Sequence, residues 1–278
     1  MIEYRILGMK SNMSYAEAGA NFEKMVKDLS LPADRFNTTL RVIKIEYESD
    51  EYRNISAIAV KYGFKAYEHT YKVEYTKKEL SEAKFFEVNL SIYGKADYTE
   101  GYQTKYKDFY CKSCGAHQLI PEGVIYINKT EFRGKDIAVS MKLNNEIIVS
   151  NKMKELIENM NMTGVNFFPA YHYNNRLKND YLAWHMVVTN VIPKIDSSMP
   201  MYIMDNYCSV CKRHHVLPLS YVRYTKSELV KVNDFNLSSE MFGNGWYGSP
   251  KLIVSHNVYD LIINNRIKGC KFEIVGII

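Results

Sequence analysis

Two stretches decide how this chain is read: Tyr110-Cys111-Lys112-Ser113-Cys114-Gly115 and Tyr207-Cys208-Ser209-Val210-Cys211-Lys212. Each places two residues between its thiols, and 93 residues separate one CxxC from the next. Two such turns can bring four thiolates to one tetrahedral zinc. A site closed by four cysteines keeps no open position, so it is structural and activates no water. The expected ligands are Cys111, Cys114, Cys208 and Cys211, and the expected cofactor is one structural Zn2+ per chain. Two other uses of the motifs stay open. Each turn could hold its own ion, with His117 or His214 as a third ligand. Each could also be a redox pair, but such pairs sit at the start of a helix. Here Gly115 and then Leu119-Ile120-Pro121 read as turn and strand.

Outward from the motifs, the chain repeats itself. A shift of 97 places Asp108 on Asp205, Tyr110 on Tyr207, the first cysteine pair on the second, His117 on His214 and Pro121 on Pro218. Further on the shift becomes 105. There Ile148-Val149-Ser150 falls on Ile253-Val254-Ser255, Leu156-Ile157 on Leu261-Ile262, Gly164 on Gly269 and Phe167 on Phe272. The change requires a net eight-residue insertion in the second copy.

Each copy reads alike. A strand enters (Phe86, Val88, Leu90, Ile92, or Trp184, Met186, Val188), and the CxxC turn follows. A strand leaves, and a polar connection leads to a short apolar strand. Ser150 or Ser255 then caps a helix of about ten residues. Gly164 or Gly269 stops that helix in a left-handed turn, before a last strand. Cys270 aligns with Val165, which marks it as a buried small apolar residue and not a fifth ligand.

Residues 1–70 form a separate segment without metal chemistry. Ile2, Tyr4 and Ile6 alternate as in a strand. Ser14 and Glu17 form a capping box ahead of a helix carrying Tyr15, Ala18, Phe22, Met25, Val26 and Leu29. Leu40 to Tyr47 reads as a strand whose start is out of phase, which requires a bulge or a doubly covered start. Ile55 to Val60 is a further apolar run. The expected class is therefore α+β: two tandem copies of a zinc-knuckle/strand/helix/strand unit with mostly antiparallel sheet, plus a small N-terminal α+β segment. The expected boundaries are 1–70, 71–170 and 171–278.

Composition narrows the function classes. The net charge of +5 is mild, and Lys is interspersed with Asp and Glu, so nucleic acid is not the expected partner. The densest basic cluster, Lys212-Arg213-His214-His215, is read as a solvated knuckle tip. No stretch approaches the ~20 apolar residues of a membrane span, and the N-terminus has no signal-peptide h-region. A cytoplasmic location follows as an expectation, and there CxxC thiols stay reduced and bind metal. No GxxxxGK[ST] or HExxH is present. Gly243 to Gly248 matches GxGxxG, but Ser249-Pro250 and a strand follow where a nucleotide site needs a helix. His172 and His185 stand alone and are read as structural. The chain is thus expected not to be an enzyme. The inserted residues of the second copy carry Phe242, Trp246 and Tyr247, candidate anchors for a protein partner.

Three features together resemble the bacterial double-CxxCG proteins. They are Tyr110-Cys111-Lys-Ser-Cys114-Gly115, a second CxxC about a hundred residues on, and the Ile-Val-Ser…Leu-Ile…Thr163-Gly164-Val165-Asn166-Phe167 segment. The resemblance covers roughly residues 75 to 276. Lys212 departs from it, because the pattern has glycine after the second motif. Some of those proteins, best known from myxobacteria, look like immunity proteins that neutralise toxins passed between neighbouring cells. The resemblance implies a non-enzymatic, zinc-stapled protein that occludes a toxin. Two readings remain beside it: a nucleic-acid-binding zinc ribbon, resting on Lys212 and Arg213, and a CxxC thiol oxidoreductase.

Overall fold

The computed structural model describes residues 1–93, 104–113, 117–122, 124–128, 132–140, 146–172, 181–192, 195–196, 198, 201–203, 208–211, 215–218, 221–230, 232–243 and 249–278. The chain forms two compact units, Met1–Glu82 and Ala83–Ile278.

The first unit runs β1 (Ile2–Lys10), α1 (Tyr15–Asp28), β2 (Phe36–Asn37), β3 (Val42–Glu46), α2 (Asp50–Lys61), β4 (Lys65–Glu74) and α3 (Lys77–Glu82). Ser14 caps α1 by accepting the Glu17 N–H. Ala18, Phe22, Met25 and Val26 of α1 pack on Leu7, Met9, Ile43 and Ile45 of the sheet. All pairings are antiparallel, in the order β2-β3-β1-β4. A β-α-β-β-α-β chain in this order is the ferredoxin-like arrangement. The Ile55–Val60 run is helical. Ser49 caps α2 through the Tyr52 N–H, Ile55 and Ala59 are buried four residues apart, and Val60 faces solvent. No bulge is needed at Leu40: it is exposed in a turn, Arg41 has φ +49°, and the strand begins at Val42. The unit extends to residue 82. Strand β4 supplies its edge, and the terminal amino group of Met1 pairs with Glu79 of α3.

The second unit contains β5 (Phe85–Leu90), β6 (Ile92–Tyr93), β7 (Lys105–Tyr110), β8 (His117–Glu122), β9 (Ile125–Ile127), β10 (Ile137–Ser140), β11 (Glu146–Val149), α4 (Asn151–Asn159) and β12 (Val165–His172). It continues with β13 (Tyr181–Val188), β14 (Val191–Ile192), β15 (Met201–Ile203), β16 (His215–Pro218), β17 (Arg223–Tyr224) and β18 (Phe235–Ser238). The remainder is β19 (Met241–Phe242), β20 (Leu252–Ser255), α5 (His256–Asn264), β21 (Cys270–Ile274) and β22 (Gly276–Ile277). The protein is α+β with mostly antiparallel sheet, as its pattern predicts.

Two sheets dominate this unit, ordered β6-β10-β11-β13-β12-β9 and β14-β18-β20-β5-β21. Each takes one interior strand from the other half of the unit. Strand β5 lies between β20 and β21, and β13 lies between β11 and β12. The registers correspond residue for residue. Val149 pairs with Trp184 and Phe167 with Met186. In the other sheet Val254 pairs with Phe86 and Phe272 with Val88. Tyr126 pairs with Tyr171, and Arg223, 97 residues on, pairs with Gly276, 105 residues on from Tyr171. The entering strands therefore do not complete their own halves. They cross over, so neither half of this unit closes a sheet alone.

The glycines after the two helices mark the same reciprocity. Gly164 (φ +92°) and Gly269 (φ +115°) are left-handed, as their C-terminal position requires. A Cβ on Gly164 would overlap the carbonyl oxygen of Phe235, and one on Gly269 that of Ile137. Each close approach is locked by backbone bonds: Phe235 N–H to Thr163 O (3.1 Å) and Ile137 N–H to Lys268 O (3.1 Å). Ser150 caps α4 through the Met153 N–H. Ser255 holds the same backbone position before α5, but its hydroxyl donates to Asp234 Oδ1 (2.7 Å) and makes no cap bond.

Candidate metal centre

Two hairpins carry the cysteine turns. Strands β7 and β8 pair antiparallel, with Tyr110 opposite His117, so the chain must reverse between them. Cys111 follows β7 directly, and Lys112 and Ser113 occupy the exposed turn. Strands β15 and β16 form the second hairpin, with Ile203 opposite Val216 and Met201 opposite Pro218. In the first hairpin Pro121 lies opposite Tyr106. The second is thus slipped by two residues relative to a 97-residue shift. A slip of two keeps every side chain on its face.

The turns present their thiols inward and their tips outward. Cys111 and Cys208 are buried and Cys211 is half-buried, whereas Ser209 and Val210 are exposed. Cys111 Sγ lies 3.7 Å from Cys208 Sγ, across 97 residues of sequence. The sulfurs of Cys111, Cys208 and Cys211 lie within 4.8 Å of one another. A disulfide would hold two sulfurs at about 2.05 Å. Four sulfurs about 2.3 Å from a tetrahedral zinc stand about 3.8 Å apart. The observed spacing therefore fits thiols gathered around a common ion, and the all-sulfur donor set fits a thiophilic metal.

The surroundings favour thiolate. The Cys208 thiol is pulled down to about 6, chiefly by the backbone N–H of Cys211 and then that of Val210. The Ser113 hydroxyl and the Cys111 thiol add to this from the first turn. The two turns thus complete one another electrostatically as well as geometrically. Lowered thiol pKa is what metal ligation requires. Cys270 behaves oppositely. Burial, and then the nearby Asp136 carboxylate, push its thiol up to about 11, so it stays protonated. It pairs with Leu90 in β21, at the position Val165 holds against Val188 in β12.

The other anticipated site residues divide as follows. Cys114, His214, Lys212, Arg213, Trp246 and Tyr247 lie outside the described residues, as does the Asn244–Gly248 part of the GxGxxG stretch. His117 opens β8, and only its backbone is described. Phe242 is placed in the core. It is 9% exposed, its strand pairs with β16, and its backbone bonds twice to Ser249 across the base of the inserted loop. His185 is not isolated, since its Nε2 meets Glu146 Oε2 at 2.7 Å. The contact of Ser113 with Cys208 carried no sequence signal, because it depends on the two turns meeting.

No helix is long and apolar enough to cross a membrane among the described residues. Among curated proteins none matches the chain. The model of the Immunity protein family (Imm11) matches residues 128–276. That span holds Cys208 and Cys211 and leaves Cys111 and Cys114 outside it. It covers α4, α5 and the strands β10 to β21 that build most of both sheets. Because the match takes in more than half of the 278 residues, this chain belongs to the Imm11 immunity protein family.

Proposed function

We propose that this protein is a non-enzymatic immunity protein that neutralises a toxin by binding it. The observation that carries the reading is membership of an immunity protein family across residues 128–276. The arrangement of thiols supports a scaffolding role for metal. In this reading one Zn2+ per chain is held by Cys111, Cys208 and Cys211, with Cys114 as the fourth ligand. The ion joins a turn from each half of the second unit and closes its own coordination sphere. Zinc would supply cohesion and no reaction. The low pKa of Cys208 serves such ligation directly, and metal-bound thiols fit the reducing cytoplasm. We also read the two sheets as copies of one duplicated unit, on the matching registers and the 97- and 105-residue offsets. Toxin contact is assigned to surface beyond the metal, with Trp246 and Tyr247 of the inserted stretch as candidate contacts.

The test is co-expression. Each toxin gene adjacent to this one is induced in a susceptible host with and without the chain. Restored growth with one of them is expected, and unrelieved killing by all of them overturns the reading. Metal content of the purified full chain tests the second part. One zinc per chain is expected, lost together in Cys111→Ser and in Cys208→Ser. Two zinc ions per chain would instead assign separate sites with His117 and His214.

A further inference from the structure

The two helix-covered faces of the second unit are built alike, but only one of them takes a ring from its helix. On the α5 side, Tyr259 stacks on Phe86 (centroids 4.2 Å apart, planes at 11°) and meets Phe272 edge-on (4.9 Å, 74°). Phe86 and Phe272 are themselves edge-to-face at 5.7 Å. The result is a closed triad with Phe86 fully buried. On the α4 side the sheet keeps both of its rings. Trp184 holds the register position of Phe86, and Phe167 that of Phe272. The helix differs, because the residue 105 positions before Tyr259 is Lys154.

With no ring from the helix, a cleft of about 420 Å³ opens there, lined by Lys154, Ile157, Glu158, Met162, Phe167 and Trp184 among others. Its walls are held in place. Trp184 Nε1 donates to Asn151 Oδ1 (2.6 Å). Lys154 Nζ pairs with Glu158 Oε2 and lies 4.5 Å from the Trp184 ring centroid and 5.8 Å from that of Phe167. Tyr181 packs on Trp184 (4.7 Å) without lining the cleft.

We infer that this cleft is a binding site for an aromatic side chain of a partner protein, flanked in the partner by acidic residues. The ligand class is read from the chain itself. In the other sheet the two rings at these register positions receive a third ring, by stacking on one and meeting the other edge-on, the geometry aromatic pairs prefer. The Lys154 ammonium adds a cation at the face of whatever ring enters. The acidic flank follows from charge. Met1–Glu82 holds 13 Lys and Arg against 13 Asp and Glu, so the whole +5 belongs to the unit that carries the cleft. The site is distinct from the cysteine turns and does not depend on the toxin reading. The probes below report on the cleft whether or not a toxin is neutralised.

The experiment uses the full chain with Trp246→Phe, which leaves Trp184 as its single indole. p-Cresol, the tyrosine side chain alone, is titrated while the Trp184 indole N–H is followed by NMR, with cyclohexanol as the aliphatic control. A saturable shift with p-cresol and none with cyclohexanol is expected. Lys154→Tyr, which supplies the ring from within as Tyr259 does, should abolish the shift and leave Tm equal or higher. No saturable shift, an equal response to cyclohexanol, or an unchanged response in Lys154→Tyr overturns the site. The peptides acetyl-Glu-Tyr-Glu-amide and acetyl-Lys-Tyr-Lys-amide then test the flank. The acidic peptide should bind several-fold tighter, a difference erased by salt. Equal affinity at low salt overturns the acidic partner.

Discussion

Glu87 and His185 occupy the same register position in the two sheets of the second unit, and each meets a polar partner from the neighbouring stretch of chain. Glu87, opposite Ile253, pairs with Lys251, and His185, opposite Ile148, pairs with Glu146. The carboxylate thus belongs to the exchanged strand in one sheet and to its neighbour in the other. This bears on why the strands cross over. Were β5 to sit between β11 and β12, Glu87 would face Glu146 in a buried place. Like charges on neighbouring strands are destabilising. The Glu87–Lys251 pair therefore favours the exchanged arrangement over the unexchanged one.

Breaking one pair should cost more than deleting both partners. Glu87 is 1% exposed, so Lys251→Met leaves a buried carboxylate without its cation. A loss of about 3 kcal/mol or more is expected in urea unfolding of the second unit. Adding Glu87→Gln should recover most of it, and a double-mutant cycle measures the coupling. Additive single-mutant costs would remove the pair from the account.

Glu273 lies directly opposite Glu87 in the sheet. Burial, and then the Glu87 charge, raise its pKa above the ordinary carboxyl value of 4.5. A carboxyl with a raised folded pKa favours the folded state while protonated and penalises it once ionised. Its penalty therefore grows as pH rises above about 4.5. Glu273→Gln should raise the urea midpoint at pH 7 and lose its advantage at pH 4. An equal gain at both pH values would assign the effect to packing.

The two left-handed glycines should be about equally intolerant. Alanine at Gly164 or Gly269 adds backbone strain and an overlap with a carbonyl of the other half. Each is expected to cost more than about 2 kcal/mol. Gly134→Ala is the control, since it shares a positive φ (+79°) but has nothing within 4 Å of the new Cβ. If all three variants melt alike, the close approach is not what fixes these residues.

Metal removal should act on one unit. Structural zinc contributes about 10 kcal/mol of apparent binding energy, much of it coupled to folding. A chelator should lower the unfolding midpoint of Ala83–Ile278 and leave that of Met1–Glu82 in place. Hydrogen exchange resolves the two. Equal loss of protection in both units, or none in either, would contradict a staple confined to the second.

Much of this protein follows from sequence alone, because local physics is short-ranged. Ser14 and Glu17 announce α1, period-two apolar residues announce β5 and β13, and the glycines after α4 and α5 announce left-handed turns. The 105-residue offset reappears in the registers, where Val149 lies opposite Trp184 and Val254 opposite Phe86. Other elements were not legible. Ile55–Val60 is too short an apolar run to separate strand from helix until Ser49 is seen to cap it. Phe242 reads from its sequence neighbourhood as a partner anchor, and packing placed it in the core. The first compact unit ends at Glu82, because β4 runs on to Glu74 and α3 follows it. The pairing partners of β5 and β13 were the largest matter left to the tertiary structure. A strand's own sequence fixes its two faces but not the sheet it enters. The meetings of Glu87 with Lys251 and of His185 with Glu146, groups far apart in the chain, exist only once that choice is made. The same long-range meeting brings Cys111 to 3.7 Å from Cys208 and turns two separate motifs into one set of thiols.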